Sequence, residues 1–204
     1  MRELRQAMDT YIREHLGLDA TAADQLRRRY WQRYGATLLG LVRHHGVSAA
    51  HFLHHTHLLP GLEQRVRGHA HDLAAVGRLR GRKFILTNAP AAYATRVLRT
   101  LGAMHLFDGL ISIEDMQMFG HLRPKPDRRM FKRLCAHLRV PAARCILVED
   151  TLDHQKAARS VGMRTVWMQR WLPGSKARRR VQRRPAFVDL RLHHLRALLR
   201  IDWL

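Results

Sequence analysis

The sequence has few cysteines, few acidic residues and no long apolar run, and each shortage excludes a class of protein. Its 204 residues include two cysteines, Cys135 and Cys145, too few for the disulfide framework of a small secreted domain. We expect both to be reduced, partly buried thiols of a cytoplasmic protein. No apolar run approaches the roughly 20 residues of a membrane-spanning helix. The first residues, Met-Arg-Glu-Leu-Arg-Gln, lack the apolar core of a signal peptide, so no membrane partner is expected.

Basic residues outnumber acidic ones by 37 to 16, which gives a formal net charge of +21. Such an excess is typical of proteins that bind nucleic-acid phosphates. However, 32 of the 37 are arginines spread over every segment, and neither a known nucleic-acid module nor an aromatic stacking platform accompanies them. We therefore interpret the excess as a compositional bias that can steer anionic substrates, and nucleic acid is not the expected partner.

Residues 84–90, Phe-Ile-Leu-Thr-Asn-Ala-Pro, are the stretch around which the chain is organised. Three apolar residues predict a short buried strand, and a helical pattern follows. In open α/β sheets, ligands bind beyond the carboxyl ends of such strands. A hydroxyl and an amide there, with the backbone N–H groups of a helix start behind them, predict a phosphate site at Thr87 and Asn88. The alternative is a simple helix cap.

Two later stretches strengthen this prediction. Lys125 lies between two prolines, which restrict the local backbone and hold the lysine on a stiff turn. A second apolar run, residues 145–148, ends in the adjacent acids Glu149 and Asp150. Two carboxylates at a strand end suit a hard cation such as Mg²⁺. A solvated helix start is the alternative interpretation of this acidic pair.

In this order, the three stretches resemble the signature motifs of haloacid dehalogenase (HAD) superfamily phosphohydrolases. The chain looks most like the pyrimidine 5′-nucleotidase-like branch, and the resemblance covers nearly its whole length. It implies an α/β fold with a Rossmann-like parallel sheet, a small helical cap, Mg²⁺, and a small phosphorylated substrate. A nucleoside 5′-monophosphate is the expected substrate, with small sugar phosphates as an alternative. The sequence does not indicate an oligomeric state.

The resemblance also implies roles for single residues. Thr87 and Asn88 would hold the phosphoryl oxygens, and Lys125 would neutralise charge on the nucleophile and the phosphoryl group. Asp150 would bind Mg²⁺, with Glu149 as a direct or water-mediated partner. In such enzymes an Asp attacks the phosphoryl group and forms an aspartyl-phosphate that water hydrolyses.

The family's first motif, an apolar strand that ends in Asp-x-Asp, is missing from these residues. Asp9 and Thr10 lie in a charged, helix-like segment with no strand before them. With that motif, the nucleophile, the acid/base and a central strand are missing too. We expect the chain to begin just after the place where this strand should lie.

The order of segments predicts two domains. Residues 1–78 are expected to form the helical cap and a return helix, with one helix across 62–76, and residues 79–204 the Rossmann-like core. The core should close with an edge strand at 187–190 and a helix over 192–199. By resemblance, Tyr34 and Thr37 of the cap could face substrate, and helix packing is the alternative for both.

The cap segment is also rich in histidine. His51 and His55 lie one helical turn apart, a spacing that can hold a transition metal. Because no carboxylate or Cys lies nearby in sequence, we favour exposed or partly packed imidazoles for the group His44, His45, His51, His54, His55 and His57.

Three hypotheses for function follow. The first is a Mg²⁺-dependent nucleotidase-like phosphatase whose native start lies upstream and supplies the Asp-x-Asp strand. The second is a catalytically inactive protein that binds a phosphate ligand or another protein. The third is a nucleic-acid-associated protein that uses the basic run at 176–184. The cost of a missing central strand, whose loss would expose backbone hydrogen-bonding groups, favours the first.

Overall fold

The computed structural model describes residues 2–170 and 183–201, and these residues fall into two compact units. The first unit holds the residues up to Arg67 together with Lys83–Pro124. The second unit holds Gly68–Arg82 and the described residues from Lys125 onward. Most of the basic run of the third hypothesis, residues 176–182, lies outside the described residues. The expected division into domains at residue 78 stays a prediction.

The first unit begins with a group of helices whose ends follow local capping rules. They are α1 (Arg2–Leu16), α2 (Ala20–Tyr34), α3 (Thr37–His45), α4 (Ala49–His57) and α5 (Leu62–Arg65). Asp19 caps α2 by accepting the N–H of Ala22, and Ser48 caps α4 by accepting that of His51. Gly35 ends α2 with φ +77°, a left-handed conformation that costs glycine little.

The helices of this unit enclose an apolar core. Its buried members on α1 to α4 are Tyr11, Ile12, Ala23, Leu26, Tyr30, Leu38, Leu41, Phe52 and Leu53. Helices α2 and α3 approach closely at Gly40, where an added Cβ would lie 2.1 Å from Cγ of Tyr30. Glycine at this position therefore allows the two helices to pack against each other.

The first unit also contains the predicted strand at 84–86. Strand β1 (Phe84–Leu86) pairs in parallel with β2 (Gly109–Ile111), and α7 (Ala91–Thr100) connects them. A short antiparallel pair follows, β3 (Gln117–Met118) with β4 (His121–Leu122).

The second unit is built on a parallel three-stranded sheet in the order β5–β6–β7. Its strands are β5 (Ile146–Glu149), β6 (Arg164–Met168) and β7 (Leu190–Leu192). Its helices are α6 (Ala70–Arg78), α8 (Arg128–Leu138) and α9 (Leu152–Arg159). Val166, Leu192 and Leu198 form the buried centre of a core at this sheet. Parallel strands joined through helices confirm the α/β prediction.

Three predicted elements are wrong. The single helix expected across 62–76 is two helices, because Val66 leaves the helical region at φ −69° and ψ 127° and α6 begins only at Ala70. The strand expected at 187–190 lies at Leu190–Leu192, and the closing helix is a 3₁₀ helix, Leu195–Arg200. Just before this strand, Asp189 bonds to Thr165 twice: its carboxylate accepts the backbone N–H of Thr165 at 2.8 Å, and its own N–H donates to the Thr165 carbonyl oxygen at 3.1 Å.

Candidate active site

A buried ion pair between Lys125 and Glu149 is the centre of the candidate site in the second unit. The lysine Nζ donates to Oε2 of Glu149 at 2.6 Å, and the two side chains are only 8% and 12% exposed. Charge-assisted hydrogen bonds of this kind are short and strong. The pair therefore fixes the lysine ammonium group at the carboxyl end of β5, the strand that Glu149 ends.

The surroundings of Glu149 hold its carboxylate in the charged form. Its Oε1 accepts the backbone N–H groups of Asp150 at 3.1 Å and Thr151 at 3.3 Å. Nδ1 of His154 lies 3.2 Å from Oε2, at ion-pair distance. Burial by itself would raise the pKa of Glu149, but the His154 contact and the charge of Lys125 outweigh it and hold the pKa well below its usual range.

Asp150 has a different environment, although it is the next residue. Its carboxyl group is partly desolvated and adjoins that of Glu149, and both effects raise its pKa. Its Oδ1 accepts the hydroxyl of Thr151 at 3.1 Å, and its carbonyl oxygen accepts the indole N–H of Trp167 at 3.0 Å. Asp150 is therefore an exposed carboxylate on a fixed backbone, whose negative charge a cation would stabilise.

Two residues of α9 complete this arrangement, and the sequence interpretation missed both. His154 lies against Glu149, as described above. Gln155 is fully buried and donates to the carbonyl oxygens of Glu149 and Val166, each at 2.7 Å. The available sequence signal for them was that two adjacent polar residues, His154 and Gln155, lie near the start of the helix that follows Glu149 and Asp150. Gln155 thereby ties β5 to β6 at the point where the candidate site begins.

Few side chains near Asp150 could act as ligands for a metal ion. Within residues 2–170 and 183–201, no group of three or more His, Cys, Asp or Glu side chains is placed to hold a metal ion. Mg²⁺ commonly takes one or two protein carboxylates and completes its shell with water and substrate phosphate oxygens. Asp150 fits that role, whereas the Glu149 carboxylate already accepts from Lys125 and two backbone N–H groups.

Thr87 and Asn88 lie in the first unit, directly after β1. The backbone N–H of Thr87 extends the pairing of β1 by donating to Ile111 at 2.9 Å, and its Oγ1 accepts the N–H of Ala89 at 3.0 Å. A hydroxyl that accepts one bond can still donate its own hydrogen to an anion. The structure thus holds the Thr87 hydroxyl oxygen on the loop between β1 and α7.

The helix start behind this loop differs from the expected phosphate cradle. The backbone N–H of Ala91, the first residue of α7, donates to both carboxylate oxygens of Glu114, at 3.2 and 3.1 Å. Glu114 thereby supplies the negative charge that a helix N-terminus favours. An anion at this N–H group would have to displace the Glu114 carboxylate.

The two predicted cap residues are both engaged inside the first unit. The Thr37 hydroxyl is buried and donates to the carbonyl oxygen of Arg27 at 3.1 Å, which ties α3 to α2. The Tyr34 hydroxyl lies 2.6 Å from Nε2 of His44. These contacts support helix packing for Thr37, and substrate contact by either residue stays a prediction.

The histidines of the cap segment contact one another and Tyr11 as an aromatic group. The rings of His51 and His55 are 4.2 Å apart, His15 is 5.1 Å from His51, and the Tyr11 hydroxyl lies 2.8 Å from Nδ1 of His51. His57 departs from the expectation of exposed or partly packed imidazoles, because it is buried among helix residues. Separately, none of the helices described is long and apolar enough to cross a membrane.

Comparison with known proteins adds a family, a relative and several similar structures. A family model described as a haloacid dehalogenase-like hydrolase matches residues 4–162. Validoxylamine A 7'-phosphate phosphatase from Streptomyces hygroscopicus subsp. limoneus is 34% identical over 79 residues, which are 39% of this chain. The match spans only 35% of that phosphatase.

The solved structures that resemble this chain cover nearly all of it. CbbY from Rhodobacter sphaeroides, in complex with phosphate, matches with a TM-score of 0.62 and 19% identity over 97% of this chain and 89% of its own. An L-2-haloacid dehalogenase matches with a TM-score of 0.58 and 22% identity, over 97% of this chain and 92% of its own. At these identities the similarity shows the fold.

Proposed function

Because the chain belongs to the haloacid dehalogenase-like hydrolase family, we propose that it is a Mg²⁺-dependent phosphohydrolase of small phosphorylated substrates. The observation that carries this proposal is the buried pair of Lys125 and Glu149 beside the exposed carboxylate of Asp150. A relative that is a phosphatase supports the reaction class. The proposed location is the cytoplasm.

The proposed roles follow from the contacts of each side chain. Lys125 supplies fixed positive charge where negative charge develops on a transferring phosphoryl group. Glu149 holds that lysine in place through the 2.6 Å hydrogen bond. Asp150 is the proposed Mg²⁺ ligand, with Glu149 acting at most through water. When bound, Mg²⁺ would polarise the phosphoryl oxygens as a Lewis acid.

Residues of the first unit are proposed as substrate ligands. Thr87 would donate its hydroxyl hydrogen to a phosphoryl oxygen, and Asn88 would donate through its side-chain amide. Tyr34 and Thr37 are the proposed substrate contacts of the cap. Tyr34 is the stronger candidate of the two, because its ring is only partly buried. A nucleoside 5′-monophosphate is the proposed substrate, on the resemblance of the chain to the pyrimidine 5′-nucleotidase-like branch.

A second candidate function is phosphate-ligand or protein binding without hydrolysis. It is favoured by one observation, that the 204 residues contain no Asp-x-Asp pair. The aspartyl-phosphate route needs a carboxylate nucleophile, and no residue of this sequence is assigned to that role.

The test measures phosphate release by the native protein purified from its own cells. Nucleoside monophosphates and sugar phosphates are offered with Mg²⁺ and with a chelator, and the intact mass is compared with 23.8 kDa for these residues. Lys125→Ala and Asp150→Ala should each lower kcat by about 100-fold or more, since each removes charge stabilisation in the transition state. Asp153→Ala, an exposed acid on α9, is the matched control and should retain activity.

Two results would contradict the proposal. Unchanged turnover in both variants would remove Lys125 and Asp150 from the reaction. Phosphate binding without release by the native protein would favour the second candidate.

A further inference from the structure

The two cysteines of the sequence lie side by side in the second unit. Cys135 belongs to α8, Cys145 directly precedes β5, and their sulfur atoms are 4.0 Å apart. Cys135 is buried and Cys145 is partly exposed. The S–H of Cys145 is also 3.6 Å from the carbonyl oxygen of Pro141. Both thiols are thus in van der Waals contact, and one of them is accessible to a small reagent.

The backbone on both sides of this contact is fixed by hydrogen bonds. The carbonyl oxygen of Cys135 accepts the N–H of Val140 at 3.1 Å, and that of Cys145 accepts the N–H of Arg164 at 2.9 Å. The N–H of Cys145 donates to Ala142 at 2.9 Å. A disulfide needs the sulfurs at about 2.05 Å, so each sulfur has to move by roughly 1 Å. Rotation of the two side chains can supply a movement of that size.

We propose that Cys135 and Cys145 are a reversible oxidation site that closes to an intramolecular disulfide when the protein meets hydrogen peroxide. Cys145, the exposed thiol, reacts first. Its thiolate attacks one peroxide oxygen, the O–O bond breaks, and the sulfenic acid forms while hydroxide leaves and takes up a proton as water. The sulfur of Cys135 then attacks the Cys145 sulfur, the S–S bond forms, and the S–O bond breaks. The hydroxyl group leaves with the Cys135 proton as a second water, so two thiols supply the two electrons that peroxide accepts.

The environments of the thiols support this order of steps. Burial, and secondarily the neighbouring Cys145, raise the pKa of Cys135 to about 11, so Cys135 is protonated at neutral pH. A protonated, buried thiol reacts slowly with peroxide but is well placed to capture a sulfenic acid in contact with it. Cys135 is therefore the resolving thiol.

The cross-link would join α8 to the start of β5. Cys145 lies at the amino end of that strand, and Glu149 ends it four residues later, roughly 13 Å away at about 3.3 Å per residue. The disulfide should therefore stabilise the second unit without changing the groups around Lys125. It is independent of the proposed phosphatase activity.

The test uses the full chain, first reduced, then treated while folded with a small excess of hydrogen peroxide, and finally alkylated in denaturant so that the buried Cys135 is accessible to the reagent. The oxidised chain should lose about 2 Da and take up no alkyl group, whereas the reduced chain takes up two. Its melting temperature should rise by about 5–10 °C, because the cross-link restricts the unfolded chain, and a dithiol should reverse the shift. Cys135→Ser should stop at a sulfenic acid that dimedone traps, and Cys145→Ser should resist mild oxidation.

Several outcomes would overturn the proposal. The proposal is wrong if two thiols can still be alkylated after peroxide treatment, or if disulfides form only between chains. It is also wrong if peroxide converts Cys145 directly to the sulfinic acid. The mass of the wild-type chain decides the matter even where a serine variant fails to fold.

Discussion

At the scale of single residues, burial distinguishes the Lys125–Glu149 pair from exposed ion pairs such as Arg96 with Glu63. Arg96 and Glu63 also form a short ion pair, at 2.7 Å, but their side chains are 33% and 48% exposed. Water screens such a pair, and its net contribution is usually below about 1 kcal/mol. In the buried pair, the loss of the Glu149 carboxylate removes a bonded counter-charge from an ammonium group that water reaches poorly. Replacing a glutamate by glutamine should therefore lower the free energy of unfolding more at Glu149 than at Glu63.

We predict that Glu149→Gln lowers the free energy of unfolding by about 3–5 kcal/mol, because it removes the carboxylate charge to which the buried Lys125 ammonium is bonded. Glu63→Gln should cost less than about 1 kcal/mol and is the matched control. Urea unfolding of both variants at pH 7 measures the difference. Equal costs would mean that water reaches Lys125 well enough to replace the carboxylate.

The residues around Glu149 also show what a sequence can reveal about a site. Lys125, Glu149 and Asp150 stand out because a proline-flanked lysine and a strand that ends in two acids are local patterns. The contacts of His154 and Gln155 depend on how α9 packs against β5 and β6, and no local pattern specifies that packing. The hydrogen bond from the Ala91 N–H to Glu114 is likewise a contact between residues 23 positions apart. Tertiary contacts of this kind are the part that sequence reasoning could not supply.

At the scale of helices and strands, local signals succeeded where side chain and backbone belong to one segment. Asp19 and Ser48 are residue types favoured at helix starts, and both accept N–H groups of the helices that they precede. The apolar runs at 84–86 and 145–148 also correspond to strands, β1 and β5, the second displaced by one residue. The helix across 62–76 failed because apolar spacing continues through the break at Val66. The prediction at 187–190 placed the strand too early. Asp189 bonds to Thr165 of β6 through both its backbone N–H and its carboxylate, but the strand pairing begins only at Leu190.

Helices α1 and α4 are joined by a contact that depends on the charge of histidine. Nδ1 of His51 lies 2.8 Å from the Tyr11 hydroxyl, and neutral His51 can accept that hydrogen. Desolvation, followed by the nearby charges of His55, His15 and His54, lowers the pKa of His51. The unfolded chain, with an ordinary pKa of about 6.5, therefore binds the proton more readily than the folded one. Stability from this group is present above that pH and is lost as the pH falls below it.

We predict that the melting temperature falls between pH 7.5 and 5.5, and that His51→Asn reduces the fall. Asparagine can still accept the Tyr11 hydrogen but does not take up a proton. His105→Asn removes an exposed histidine outside this group and should leave the dependence on pH unchanged. Thermal melts of the three proteins across this range provide the measurement. A fall of the same size in His51→Asn would place the titrating group elsewhere.

At the scale of the whole molecule, the dominant quantity is the net charge of +21. Ion pairs such as Arg159 with Asp189 neutralise some of the basic side chains, but 16 acidic residues cannot neutralise 37 basic ones. Folding brings these like charges closer together than they are in the unfolded chain. The resulting repulsion destabilises the compact state while it favours solubility.

This repulsion gives the last prediction, that sodium chloride raises the melting temperature. The Debye length is about 30 Å at 0.01 M and about 8 Å at 0.15 M, so most of the repulsion between distant arginines is screened over this interval. The melting temperature should rise steeply at low salt and only slightly beyond about 0.3 M. At that salt, the charge interactions that are still unscreened are those between groups closer than one Debye length. Thermal melts from low to moderate salt at pH 7.5 measure it, a pH at which histidine protonation contributes little. A melting temperature that falls with salt would mean that attraction within ion pairs outweighs the long-range repulsion, despite the excess of arginine.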